Sequence, residues 1–502
     1  MNRETPTKKV EGKIYDLCSE QLKEYIIAEV SQDNRRLSLL LSLGDDHYMW
    51  KKIRHFLKVS DIKTKSNSIE LMKLLFEFID INDTELNSHH YILPESILYK
   101  ITSFSVEQLS NPHLKWFIPN NGTNDIVLEV IDLLMKGLGE WETDNYKRYK
   151  HIMENMIYIS DIDYKRIFSF MLLFDPYSKL NLNIFEGNIL SPNFEAFISK
   201  IKGRKFDILV SNPAYNILDN GGRNSSKPIY HKHINKIYDI SYYSVTVTPS
   251  NWFSSGKGLT TFRKFMINNK EIKEISHFNY PFKEKVKYKF MSGLSVVKRE
   301  NGYSGDFILN NKIVDKTKYD IISPNLCETI IKKVYTKKLN NVTNIMNSRS
   351  HFKIPITLKT LDIGNTKCYF SRAGGSPKYI NMDMTRPDHY YRVLVPRTNK
   401  QGFKNMFVIN PYEVHSDSFI SFRTKTKLEA DNLITYLSTK FGNYMLWLRK
   451  CNMSITINFC EWIPLVSLDI QWDDEKITKY FKFSKKDIEV IEDVYNLTEK
   501  IK

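Results

Sequence analysis

At 502 residues the chain is too long for one ordinary domain, and a 42% hydrophobic fraction is enough to bury more than one core. The 26% charged fraction and 13% aromatic content exclude wholesale disorder, while a net charge of +16 favours a polyanionic partner, nucleic acid first. No apolar run reaches the roughly 18 residues of a membrane helix, and the polar start MNRETPTKKVEGK lacks a signal-peptide core, so a soluble, intracellular protein is expected. Cys18, Cys327, Cys368, Cys451 and Cys460 are scattered and form no CxxC pair. Neither a disulfide framework nor a zinc site is expected, and no metal ligands are assigned.

Residues 1–85 read as a helical region, with the apolar stretches LSLLLSL and IELMKLLFEFI. From about 86 to 335, strand-like and helical runs alternate. Ile126 to Leu138 reads as a helix ending at glycine, and Met156 to Ser160, Leu182 to Phe185 and Phe206 to Val210 as strands. Ser244 to Thr248 is a strand stopped by Pro249, and Ile272 to Phe278 and Gly293 to Val297 are further strands. His231 and His233 fall in what reads as a polar loop. Such alternation predicts an α/β domain built on a doubly wound, mostly parallel sheet. From 336 to 502 short strands, Gly374-Gly375 and a helical C-terminus predict an α+β region. Ser484-Lys485-Lys486-Asp487 resembles a helix start, with Ile488, Ile491 and Val494 on one face.

The run FDILV leads directly into Ser211-Asn212-Pro213-Ala214-Tyr215-Asn216. In doubly wound sheets ligands bind at the carboxyl ends of the strands, so this cluster belongs at that edge. An exocyclic adenine amine is a poor nucleophile because its lone pair is delocalised into the ring. Two acceptors that bind its protons draw the nitrogen towards tetrahedral geometry. The Asn212 side-chain oxygen and the Pro213 carbonyl can supply them, and Tyr215 can stack on an extruded base. Asp207, inside the strand, reads as structural.

In collinear order over most of residues 90–495, the chain resembles the gamma-class adenine-N6 DNA methyltransferases of restriction–modification systems. These place Asn/Asp-Pro-Pro-Tyr/Phe after the fourth strand of a class I methyltransferase-like fold and take their methyl group from S-adenosylmethionine. The resemblance implies that Tyr91-Ile92-Leu93-Pro94-Glu95 helps to cover the cofactor, with Pro94 a cofactor contact. FIPNNGTNDI, with Pro119 and Gly122, stands at the cofactor loop, Asp161 binds the ribose hydroxyls and Asn188 faces the adenine ring. WFSSGKGLTTFRKFM resembles the post-catalytic segment and WDDEKITKYFKFSKKDIEVIED the end of the target-recognition region. The implied partners are double-stranded DNA and a possible companion restriction nuclease, with no membrane.

The chain departs from the family pattern at Ile118, where an acid stands, at Asn124, where a glycine stands, at Asn188 in place of an acid, and at Ala214 in place of the second proline. Asp125 is placed to compensate for the missing acid. Restoring Ile118→Asp and Asn124→Gly is expected to raise cofactor affinity. Candidate DNA contacts are Lys257, Arg263 with Lys264 nearby, Arg349, Arg372, Arg392 and Arg397. Two other readings remain open. One is a methyltransferase fold that binds DNA without chemistry, which the altered cofactor loop favours. The other is an RNA methyltransferase, against which the large C-terminal region counts.

Overall fold

The structure, a computed structural model, describes residues 93–499 apart from 94, 121, 123, 164–165, 168–169, 172–173, 176–179, 219–225, 257, 280–291, 350, 371–375, 383–388 and 400. The helical region expected over 1–85, Pro94, Lys257, Arg372 and Gly374-Gly375 lie outside the described residues.

Eleven strands precede residue 320: β1 (Trp116–Pro119), β2 (Ile157–Asp161), β3 (Asn183–Glu186), β4 (Phe206–Ser211), β5 (Asn216–Leu218), β6 (Ser226–Pro228), β7 (Ser241–Pro249), β8 (Ile272–Phe278), β9 (Leu294–Glu300), β10 (Ile308–Leu309) and β11 (Lys312–Ile313). β5 and β6 form a separate hairpin; the other nine make one sheet in the order β11-β10-β8-β9-β7-β4-β1-β2-β3. Neighbours from β3 through β2, β1 and β4 to β7 are parallel. β9 runs antiparallel between β7 and β8. The order reverses between β1 and β4, which opens the crevice where doubly wound sheets bind ligands.

The expected strands after residue 150 recur within a few residues. β1 was not apparent as a strand from its four residues WFIP, all of which are buried. A strand covered on both faces shows no alternation, and one this short offers no period to read. β9 begins at Leu294 rather than Gly293. Gly293 has φ +71°, and a Cβ there would fall 2.2 Å from Phe278 O, so glycine is needed where the chain turns back beside β8.

The helix Asp125–Gly137 buries Ile126, Val127, Val130, Ile131 and Leu134 against the sheet. Its terminal glycine is not a left-handed cap. A Cβ at Gly137 would sit 2.5 Å from Leu109 O, so the residue permits close approach of the preceding segment. His231 and His233 correct the loop expectation, because they lie on the helix Tyr230–Asp239. Tyr230, Ile234, Ile237 and Tyr238 recur at helical spacing and carry the segment into the core. His233 is buried with them, and burial pulls its imidazole down to about 4.

The C-terminal region has its own core around a four-stranded sheet (Met346–Asn347, Phe419–Thr424, Tyr391–Pro396, Phe407–Ile409) and helices Lys427–Ser438, Lys440–Trp447, Asp474–Phe481 and Lys485–Glu499. The helix Glu328–Thr336 places Ile330, Ile331 and Val334 in this second core, whereas Ile322 packs in the first. The final helix starts as expected after Ser484. Asp487 accepts from Ser484 N at 2.8 Å, Ser484 Oγ at 2.7 Å, Lys333 Nζ at 2.6 Å and Thr329 Oγ1 at 2.5 Å.

Burial alone would push the Asp487 carboxyl up, but these donors outweigh it and hold it well below the usual carboxylate range. A depressed folded pKa gives stability that is present above the unfolded value of about 3.9 and lost as pH falls towards the folded value. Asp487→Ala is therefore expected to cost about 2–3 kcal/mol at pH 7. In denaturant titrations at pH 7 and pH 3, the gap between variant and wild type should narrow at the lower pH.

Candidate functional site

The carboxyl ends of β1, β2 and β4 converge on the crevice. Ser211 Oγ donates to Pro119 O at 3.3 Å, which ties the end of β4 to the start of the loop after β1. In that loop Asn120 (φ 56°), Gly122 (φ 56°) and Asn124 (φ 64°) all adopt left-handed conformations. Asn124 thus keeps the backbone that a glycine would provide, and Asn is among the few residues that visit this region without large strain.

Ile118 is 1% exposed and lies in β1 opposite Ile159. Asp125 does not replace the missing acid at the loop. It is buried at the helix start, and Oδ2 accepts from Leu93 N at 2.8 Å while Oδ1 accepts from Ile126 N at 3.0 Å. It therefore ties Leu93 to the helix start, a contact between residues 32 apart that the sequence pattern did not signal.

Asp161 ends β2 and is 1% exposed. Its oxygens accept from Gly122 N at 3.2 Å and Asp163 N at 2.9 Å, and Arg166 Nη1 lies 3.6 Å away. Burial pushes its carboxyl up, and Arg166 and the two amides pull it part of the way back. Asn188 is exposed after β3, with Oδ1 accepting from Leu190 N at 2.9 Å. Its –NH2 is a donor, which an ionised acid in that place would lack.

Pro213 is buried, and Asn212 is partly buried. Tyr215 corrects the stacking expectation. It is 5% exposed, and its hydroxyl donates to Asn212 Oδ1 at 2.7 Å. The ring is a wall of the site and a support for the Asn212 carboxamide, not an open platform. Asp207 Oδ2 accepts from Lys115 N at 2.7 Å, the structural role expected of it.

The candidate DNA contacts divide. Arg263 Nη1 donates to Trp252 O at 3.4 Å and Ser255 O at 3.1 Å, and so pins the loop after β7. Arg392 is 2% exposed and stacks on Phe352 at 5.0 Å, inside the C-terminal region instead of facing a duplex. Arg349 is exposed, with Asp417 at 3.7 Å. Arg397 is half-buried, and burial first, then the nearby Arg349 charge, lower its pKa. These two arginines are the pair that the fold brings together. Among the described residues no helix is long and apolar enough to cross a membrane.

Five adjacent parallel strands, a reversal between β1 and β4 and an antiparallel strand inserted between β7 and β8 define a class I methyltransferase fold. The model of the Eco57I restriction-modification methylase family matches residues 32–283, half of the chain, and the chain belongs to that family. S-adenosylmethionine is the cofactor that membership implies. Over 312 residues the chain is 23% identical to an uncharacterized adenine-specific methylase of Mycoplasma pneumoniae, covering 48% of this chain and 72% of the relative. Among solved structures it is similar to the type IIL restriction-modification enzyme MmeI in complex with DNA, at 11% identity over 86% of this chain and 78% of that one, with a TM-score of 0.48. It is also similar to the type IIG restriction endonuclease BpuSI, at 12% identity over 86% and 68%, with a TM-score of 0.40.

Proposed function

We propose that this methylase transfers a methyl group to the N6 amine of an adenine in duplex DNA, after turning the base out of the helix. The observation that carries the reading is the Asn212 carboxamide, held by the Tyr215 hydroxyl at the end of β4 beside the loop after β1. A carbonyl oxygen has two lone pairs. Tyr215 uses one, and the other can accept a proton of the amine. The Pro213 carbonyl accepts the second proton, and the two acceptors together concentrate the nitrogen lone pair in the direction of transfer.

The residues around the crevice suit an S-adenosyl group. The buried Asp161 carboxylate can accept from ribose hydroxyls, and Asn120 Nδ2 is buried with no hydrogen-bond partner among the described residues. The left-handed turns at Gly122 and Asn124 bring backbone close to the space above β1. When bound, the cofactor supplies a methyl group activated on a sulfonium. Asn188 would donate to the adenine ring, and Leu93, held by Asp125, would help to cover the site. Arg349 and Arg397 would meet phosphates or guanine edges in the C-terminal region. A companion nuclease fits a restriction–modification role.

Incubation with labelled S-adenosylmethionine and unmodified genomic DNA tests the reading. Label should appear as N6-methyladenine in the nucleoside digest, and RNA should remain unlabelled. Tight cofactor and DNA binding without incorporation would instead identify a DNA-binding protein on a methyltransferase fold.

A further inference from the structure

The segment after β7 meets a turn of the C-terminal region behind the base grip. Tyr215 stands edge-on to Tyr230, with centroids 6.4 Å apart and planes at 83°. Tyr230 is fully buried and donates its hydroxyl to Asn251 Oδ1 at 2.7 Å. From the other side, Cys451 Sγ lies 3.4 Å from Asn251 O and 3.2 Å from Ser255 Oγ. Asn452 Nδ2 donates to the same Ser255 hydroxyl at 3.3 Å, and Ser254 Oγ donates to Arg449 O.

The turn 449–452 is itself rigid. Arg449, 4% exposed, forks onto Asp320 with both nitrogens at 2.9 Å, donates Nε to Asn458 O at 2.8 Å and covers the Trp462 ring. Lys450 donates to Asn452 O at 2.6 Å over the Trp447 ring. Burial pushes the Cys451 thiol up, so near neutral pH it is a neutral donor, not a nucleophile.

We propose that Tyr230, Asn251 and the Arg449–Asn452 turn are positioning residues for the base grip. The turn fixes Asn251, Asn251 fixes the Tyr230 hydroxyl, and the Tyr230 ring sets Tyr215 so that its own hydroxyl meets Asn212. This rests on the reading of Asn212 as the amine acceptor. The C-terminal region is then part of the catalytic edge as well as a surface for DNA. A side chain released from such a wall samples other rotamers, and lost orientation is costly for transfer even where substrate affinity is kept.

The test uses the full chain in four forms: wild type, Tyr230→Phe, Cys451→Ala and Cys451→Ser. Amide hydrogen exchange over residues 210–217 should rise several-fold in Tyr230→Phe and Cys451→Ala, with unchanged melting temperatures. In the same two variants kcat should fall about tenfold while KM for the cofactor and Kd for DNA hold. Cys451→Ser, which keeps a donor, should behave as wild type. Equal exchange in all four proteins overturns the coupling. So does a loss in Cys451→Ala that Cys451→Ser does not restore, because a donor there would then not be what matters. Exchange is read without substrate. A wild type that transfers no methyl yet shows this exchange pattern therefore removes the methyltransferase reading and leaves the coupling standing.

Discussion

Asn212→Ala should lower kcat for methyl transfer by about 10²–10³-fold or more, the loss typical of removing one oriented polar group that acts on developing charge. DNA affinity should change little, because affinity rests mainly on phosphate contacts and the role proposed for Asn212 concerns one amine. The fold should also survive. Asn212 is a loop residue after β4 whose side-chain oxygen accepts from the Tyr215 hydroxyl. Tyr215→Phe, which leaves the ring wall and removes that hydroxyl, should produce a smaller loss of about tenfold. Single-turnover rates with saturating DNA check both variants. Unchanged turnover in Asn212→Ala would remove the proposed base grip.

Ile118→Asp should destabilise the domain by about 4 kcal/mol or more, since it removes a buried aliphatic side chain and places an unpaired carboxylate in the core. For a domain of this size the melting temperature should fall by about 10 °C. This reverses the expectation from the family pattern, in which an acid at that position would restore the cofactor loop. The difference is burial. Ile118 is 1% exposed in β1, within the same core as Ile159 and Val210.

Asn124→Gly should behave in the opposite way. At φ 64° the backbone already adopts the conformation that glycine favours. The change should therefore stay within about 1 kcal/mol of wild type, the scale of glycine effects at compatible positions. Thermal melts separate the two variants. A cofactor isotherm for Asn124→Gly then shows whether the loop lost affinity at that residue. If Ile118→Asp melts with wild type, its side chain turns towards the crevice and the acid position is functional after all.

The sheet was legible where strand-forming residues run together between turn signals, as in FDILV and SVTVT, because β-branched and aliphatic side chains suit a pleated, buried surface. The place of the proposed base grip was legible because it follows one such strand directly. What the sequence did not disclose depends on partners distant along the chain. Tyr215 reads as a platform until Tyr230 and the Asn212 carboxamide are placed around it. Asp125 reads as a substitute acid until Leu93 is seen above it. Arg392 reads as a charge for DNA until Phe352 closes over it. In the C-terminal region the helices Lys427–Ser438 and Lys440–Trp447 escaped notice. Gly442 and Asn443, poor helix formers, sit where packing decides: a Cβ at Gly442 would lie 2.8 Å from Leu437 O, and Asn443 donates to Leu437 O and Thr439 O.

The position of β9 between β7 and β8 has a consequence for how the chain comes off the ribosome. β7 is made first and β8 second, yet β9 lies between them and pairs with both, so each waits for residues 294–300. Until those residues emerge, β7 is paired along its β4 side only, and the unpaired N–H and C=O groups of its open edge are a template for any passing strand. The nascent chain thus carries a period of exposure whose length is set by the synthesis of the stretch from Ile272 to Glu300. Slow decoding there would prolong the exposure, and chaperone occupancy should peak there, because non-local pairing delays closure of the sheet.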